Sequence, residues 1–118
     1  MAEPTVENIF GTGAQRLTST TPAPSDGLFI PDSALTAAGL DTPSSATAEQ
    51  HFVAIIVNAR GNLTLTAFDG DTDRSIYIED GFATFTNRGE NSDRYQVDPV
   101  TVNLAKQNLV TALDPDDY

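Results

Sequence analysis

The sequence predicts a mainly β protein: a small antiparallel sheet, sandwich or barrel, with an extended N-terminal arm and one or two short helices. Residues 51–58 are apolar on both faces, as in a central buried strand. Residues 62–68 alternate between apolar and polar side chains, as in a half-buried strand. Asp80-Gly81 stands between two further strand-like segments, and this dipeptide favours a type I′ hairpin turn.

The predicted hairpin joins residues 75–79 to residues 82–87. Its register pairs Ile78 with Ala83 and Ile76 with Phe85, so one side of the ribbon is apolar. We therefore divide the chain into an extended arm, residues 1–50, and a β-rich body, residues 51–118, which ends in an acidic tail.

The length of 118 residues fits one domain, and the composition of the chain excludes several classes of function. Six basic and seventeen acidic residues give a net charge of −11, which disfavours contact with a phosphate backbone, so we expect no nucleic-acid partner. The absence of cysteine excludes disulfides and thiolate metal sites. No apolar stretch approaches the about 20 residues that cross a bilayer. No apolar run follows Met1, so we expect neither a signal peptide nor a membrane partner.

The arm carries apolar side chains separated by linker-like sequence. Val6, Ile9 and Phe10 have helical spacing before Gly11, which fits either a frayed terminus or an anchor that docks on a neighbour. Residues 16–26 and 41–50 are rich in Ser, Thr, Pro and Ala, as linkers are. The candidate partner-binding residues of the arm are Ile9, Phe10, Leu28, Phe29 and Ile30.

One short helix is predicted near residues 32–38. Pro31 suits the first turn of a helix, and Gly39 suits the left-handed position that follows the last turn. Leu40 is then placed to pack back on Leu35.

The C-terminal part is partly ambiguous. Residues 94–97 form a strand candidate. For residues 99–113, the alternation of Val100, Val102 and Leu104 favours a strand. Asp98-Pro99 could instead begin a helix with apolar side chains at helical spacing, and this second interpretation is slightly preferred.

The acidic loop contains a partial cation-binding pattern. Asp69, Asp71 and Asp73 are spaced as in a calcium loop, but Arg74 replaces the glycine of the sharp turn and Asp80 replaces the bidentate glutamate. We therefore expect a solvated loop and no metal or cofactor, with a weak site on the three aspartates as the alternative.

We expect no enzymatic activity. His51 is the only histidine and lies at the start of a predicted strand, where histidine is usually structural. No serine occupies a G-x-S-x-G nucleophile elbow. No catalytic residue is therefore assigned.

A small acidic body behind an arm with apolar anchors resembles, in general character, the cement, decoration and minor structural proteins of tailed-phage virions. The resemblance covers the whole chain without a shared motif. It implies a protein made in the host cytoplasm that stabilises the capsid shell, binds capsid or other virion subunits and forms homo-oligomers, often trimers. The alternative is a small calcium-dependent or carbohydrate-binding β module.

Overall fold

The computed structural model describes residues 4–17, 26–107 and 112–118. Of these residues, 36% are helical and 25% lie in strands. The prediction of a mainly β protein with one or two short helices is therefore wrong. The described elements in chain order are α1 (Val6–Phe10), β1 (Gln15–Leu17), β2 (Gly27–Phe29), α2 (Asp32–Ala37), α3 (Ala48–Asn62), α4 (Leu65–Asp69), β3 (Ile76–Asp80), β4 (Thr84–Arg88), β5 (Asp93–Val97) and β6 (Val100–Leu104), with 3₁₀ turns at Pro43–Ser45 and Pro115–Asp117.

The predicted central strand, residues 51–58, is part of helix α3 instead. Thr47 and Gln50 form a capping box: the Thr47 side chain accepts from the Gln50 amide at 3.1 Å, and the Gln50 side chain accepts from the Thr47 amide at 2.8 Å. Glu49 in the first turn and Arg60 in the last turn both complement the helix dipole. These helix-specific contacts outweigh the β preference of the branched side chains. The predicted boundary between arm and body, after residue 50, therefore falls inside α3.

The second predicted strand, residues 62–68, is also wrong. Leu63 is the C-cap residue of α3, and Thr64 is the N-cap residue of α4, where its side chain accepts from the Ala67 amide at 3.1 Å. The side-chain cap satisfies a backbone donor that an isolated strand would leave to solvent.

The predicted Asp80-Gly81 hairpin is absent from the described residues, because β3 pairs with β6 rather than with β4. Ile76 lies opposite Leu104 and Ile78 opposite Val102, so the predicted pairing of these two residues with Phe85 and Ala83 is wrong. Gly81 does not have the positive φ of a type I′ turn; its amide donates to the Pro99 carbonyl at 2.8 Å instead.

β4 pairs with β5, and together the four strands form one long two-stranded ribbon. Its base is β3 with β6, and its far end is β4 with β5. Between them, Gly81 lies opposite Pro99 and Thr84 opposite Val97, so Phe82 and Ala83 together face the single residue Asp98. Two residues opposite one is the count of a β-bulge, which bends and twists a ribbon.

The ambiguous segment after Pro99 is a strand in its first part. Val100–Leu104 is β6, so the preference for a helix is wrong there and the alternation of Val100, Val102 and Leu104 is the correct signal. This segment forms a strand because every residue of β6 pairs with a residue of β3. Residues 108–111 lie outside the described residues. The strand predicted at 94–97 is confirmed as β5.

The base of the ribbon packs on the helices. Ala59, Leu63 and Ile78 form a buried cluster, against which Ile9, Ile76 and Val100 pack. On the other face of β3, the Phe68 and Tyr77 rings lie 4.9 Å apart, which joins α4 to the ribbon. An exposed ion pair of 3.1 Å between Arg60 and Asp80 links the ends of α3 and β3.

The helix predicted near residues 32–38 is confirmed as α2. Gly39 has φ +107, and the Leu40 amide donates to the Leu35 carbonyl at 3.1 Å, the bond that closes a left-handed C-terminal cap. Pro31 is the N-cap residue rather than a residue of the first turn.

The buried apolar residues of the described chain are small. They are four alanines, two leucines and one isoleucine: Ala14, Ala34, Leu35, Ala54, Ala59, Leu63 and Ile78. No large side chain among the described residues is completely buried. Most of the large apolar groups are therefore partly or largely open to solvent.

Candidate functional site

The far end of the ribbon is a fully exposed surface that carries aromatic and other apolar side chains. We define the ribbon tip as Thr84–Arg88, Asp93–Val97 and the turn between them; every residue of it is exposed. Gly89, with φ +83, and Ser92, with φ 52, close the turn, and the Ser92 amide donates to the Gly89 carbonyl at 3.1 Å. The tip is therefore a well-formed hairpin that the rest of the described chain leaves uncovered.

Each face of the ribbon tip holds one aromatic ring and one arginine. The Arg94 guanidinium lies 4.2 Å from the centre of the Phe85 ring, on one face. The Arg88 guanidinium lies 5.0 Å from the centre of the Tyr95 ring, on the other face. Both contacts are within the range of cation–π attraction, so each arginine is held beside an apolar ring.

The charge of the ribbon tip differs from that of the whole chain. Arg88 and Arg94 are balanced by Glu90 and Asp93, so the tip is neutral, and the rest of the chain carries the entire net charge of −11. A neutral aromatic surface on a strongly acidic protein can approach another acidic surface with less repulsion than the acidic parts of the molecule can.

A second uncovered surface lies between α2 and α3. We define the α2–α3 groove by Ala38, Leu40, Glu49, Val53, Ala54 and Val57, which line a space of about 290 Å³. Val53 is 56% exposed, so an apolar side chain of α3 faces open solvent at this point. Glu49 provides a negative charge beside the apolar lining.

The predicted anchors of the arm have different environments. Ile9 packs on the cluster of Ala59, Leu63 and Ile78, and Phe10 is half-buried. Leu28 and Phe29 in β2 are 42% and 43% exposed. Ile30 is half-buried and follows β2. The described arm thus keeps Leu28 and Phe29 available to a partner and places Ile9 in the core of its own chain.

The acidic loop does not bring its aspartates together. Asp71 is buried, and its Oδ1 accepts from the Asp73 amide at 2.9 Å, while Asp69 and Asp73 are exposed. The described residues contain no group of three or more His, Asp or Glu side chains placed to hold a metal ion. Arg74 donates to the Asn62 carbonyl at 2.9 Å and so contributes to the end of α3.

His51 lies on the first turns of α3 rather than at the start of a strand. Its Nδ1 is 2.8 Å from the Thr47 carbonyl oxygen, an interaction within the helix. This local contact gives the ring a structural role at the helix N-terminus.

The ribbon tip and the α2–α3 groove were not predicted from the sequence. Phe85 was expected in a pair with Ile76, and Tyr95 and Val97 were expected only as part of a short strand. The usable signal was the turn-forming sequence 88–93 between two alternating segments, which is typical of a hairpin. The groove has no comparable signal, because it depends on how α2 packs against α3.

Comparison of the chain with protein-family models, with curated proteins and with solved structures gave no match. Within the described ranges, no helix has the length and apolar character needed to cross a membrane.

Proposed function

We propose that this protein is a non-enzymatic structural subunit whose exposed apolar surfaces are covered by neighbouring subunits in a larger assembly. The general character of the chain favours a virion shell as that assembly, with the protein as a cement, decoration or minor structural protein. Its partners are then capsid or other virion subunits and further copies of itself, with a trimer as the favoured oligomer.

The observation that carries this proposal is the ribbon tip. An isolated two-stranded hairpin is at best marginally stable in water, and three strands or a packed face are normally needed. Here all ten strand residues of the tip are exposed, including Phe85 at 56% and Tyr95 at 45%. A partner that covers the tip supplies the missing packing.

The other exposed apolar side chains support the same conclusion. Among the described residues, Phe82 is 95% exposed, Phe52 63%, and Phe29 43%. Large exposed apolar areas are typical of interaction surfaces, because a free monomer would lose the hydrophobic stabilisation that burial of these groups offers. They lie on the ribbon, on α3 and on β2, which fits contact with more than one neighbour.

The experiment is to look for the protein in assembled particles. An antibody raised against the purified chain is used on particles from the source culture that have been banded on a density gradient. We expect the protein in the particle fraction at a fixed ratio to the major shell protein, and we expect shells that lack it to open at a lower temperature. Its absence from purified particles would refute the virion role.

A further inference from the structure

We propose that the ribbon tip of one copy inserts into the α2–α3 groove of a second copy, with Phe85 as the inserted side chain and Arg94 paired with Glu49. This proposal rests on the proposed structural function and specifies how copies of the chain contact one another. It accounts for two uncovered surfaces of the chain with a single contact.

The apolar parts of the two surfaces fit in size. A cavity of about 150 Å³ accommodates benzene, and the groove offers about 290 Å³. The groove is therefore large enough for the phenyl ring of Phe85 together with part of a neighbouring side chain. Its lining includes Leu40, Val53 and Val57, which would contact the ring on insertion.

The charges of the two surfaces are complementary. Arg94 is held 4.2 Å from the Phe85 ring, so a ring in the groove brings the guanidinium with it. Glu49 lines the same groove and supplies the carboxylate. On insertion, the Phe85 ring meets the apolar lining and the Arg94 guanidinium meets the Glu49 carboxylate. The Coulomb attraction between the two charges increases where water is excluded.

The charge distribution favours contact between two copies through these two different surfaces over contact through two identical surfaces. The groove belongs to the part of the chain that holds the net charge of −11, whereas the tip is the neutral part. Tip-to-groove contact thus keeps the most acidic surfaces apart, which a contact between two identical acidic surfaces does not.

The contact is heterologous, because two different surfaces meet. Each copy offers one tip and one groove, so the contact repeats until a ring closes or a filament grows. A closed ring of three copies agrees with the favoured trimer.

The test is a mixing experiment with two single variants, measured by sedimentation velocity. Phe85→Asp places a charge on the ribbon tip and keeps the groove intact. Val53→Asp places a charge in the groove and keeps the tip intact. We expect wild-type oligomers, monomers of each variant alone, and a dimer when the two variants are mixed. The dimer forms because one intact tip and one intact groove remain, and it cannot grow further.

Matched controls use neighbouring residues outside the contact. Phe52 is exposed and precedes Val53 on α3 without lining the groove. Thr86 follows Phe85 on β4 and lies on the opposite face of the tip. Phe52→Asp and Thr86→Asp should both keep the wild-type oligomer.

A charge exchange tests the pair without removing Phe85. Arg94→Glu and Glu49→Arg should each weaken self-association by more than about tenfold, as loss of an interface charge partner does. The double variant should recover most of the wild-type association, which a merely structural role of either residue would not produce.

Three results would overturn the inference. If the mixed variants stay monomeric, the tip and the groove are not partners. If Val53→Asp keeps the oligomer while Phe85→Asp loses it, the tips pair with each other. If wild type is monomeric in solution but present in purified particles, the inference fails while the proposed function stands.

The opposite outcome separates the proposed function from the inference. If wild type is absent from particles but the mixing result holds, the contact between copies stands and the virion role fails.

Discussion

The side-chain amide nitrogen of Asn58 lies 3.1 Å from the carbonyl oxygen of Ala34, and this hydrogen bond joins α3 to α2. The same nitrogen lies 3.4 Å from the carbonyl oxygen of Phe10 at the end of α1. One half-buried side chain therefore holds three helices together, in a chain whose buried apolar residues are mostly alanine.

We expect Asn58→Ala to lower the free energy of unfolding by about 1–3 kcal/mol, because two carbonyl groups lose a donor in a partly buried place. Urea denaturation followed by circular dichroism measures the loss. Asn62→Ala is the control, since Asn62 is exposed and its side-chain amide donates within its own helix, to the Asn58 carbonyl at 3.3 Å. Equal losses for the two variants would contradict the joining role of Asn58.

Alanine variants of Gly11 and Gly39 distinguish the cost of a steric clash from the cost of backbone strain. Both have positive φ, +111 and +107, but a Cβ on Gly11 would stand 2.5 Å from the Ala34 Cβ, whereas nothing lies within 4 Å of one on Gly39. Gly39→Ala should therefore cost about 1 kcal/mol of backbone strain. Gly11→Ala should cost at least about 1 kcal/mol more, because α1 must move away from α2. Equal melting temperatures would show that this close approach is wrong.

Thr47→Ala tests whether the segment that looked like a strand is a helix in solution. Loss of an N-cap side chain costs about 1 kcal/mol, so we expect thermal stability and helical circular dichroism to fall together. Thr36→Ala, at an exposed position inside α2, should leave stability unchanged or slightly higher, since alanine is the better helix former. A neutral Thr47→Ala would argue against the capping box.

The acidic loop should not respond to calcium. Asp71 is turned inward to the Asp73 amide, so the three carboxylates do not converge on one point. We expect calcium titration by calorimetry to give no stoichiometric heat. Asp69→Asn with Asp73→Asn should keep or slightly raise the melting temperature, because like-charge repulsion falls. Stoichiometric calcium binding that this pair of substitutions abolishes would support the calcium-dependent module instead.

Local signals in the sequence predicted the elements that depend on local chemistry. Helix α2 followed from Pro31 and Gly39, because an N-terminal proline and a C-terminal glycine act within a single turn. Helix α3 was not predicted, because the branched apolar run favours a strand and Thr47 and Gln50 lie in a segment of linker-like composition. A short apolar run does not distinguish the two structures by periodicity alone, and the capping box was the deciding signal.

Strand pairing could not be predicted in the same way. Asp80-Gly81 is a strong local turn signal, yet Gly81 instead pairs with Pro99, eighteen positions along the chain. The pairing of β3 with β6 places Ile76 and Ile78 on the helical core, a gain that no local pattern records. A sequence pattern does not show whether an apolar face is covered by the same chain or by a neighbour. The exposure of Phe85 is therefore known only from the structure.

The bulge at Phe82 and Ala83 makes the ribbon tip a unit whose length can change independently of the base. The base register from Ile76 to Asp80 is set by α3 and β6, whereas the tip register is set within β4 and β5 alone. Removing two residues from each tip strand keeps the same side chains facing the same way and shortens the reach by roughly 7 Å, at about 3.3 Å per residue. In the proposed contact between copies, the ribbon acts as a spacer, and the length of its strands sets the distance between the two subunits.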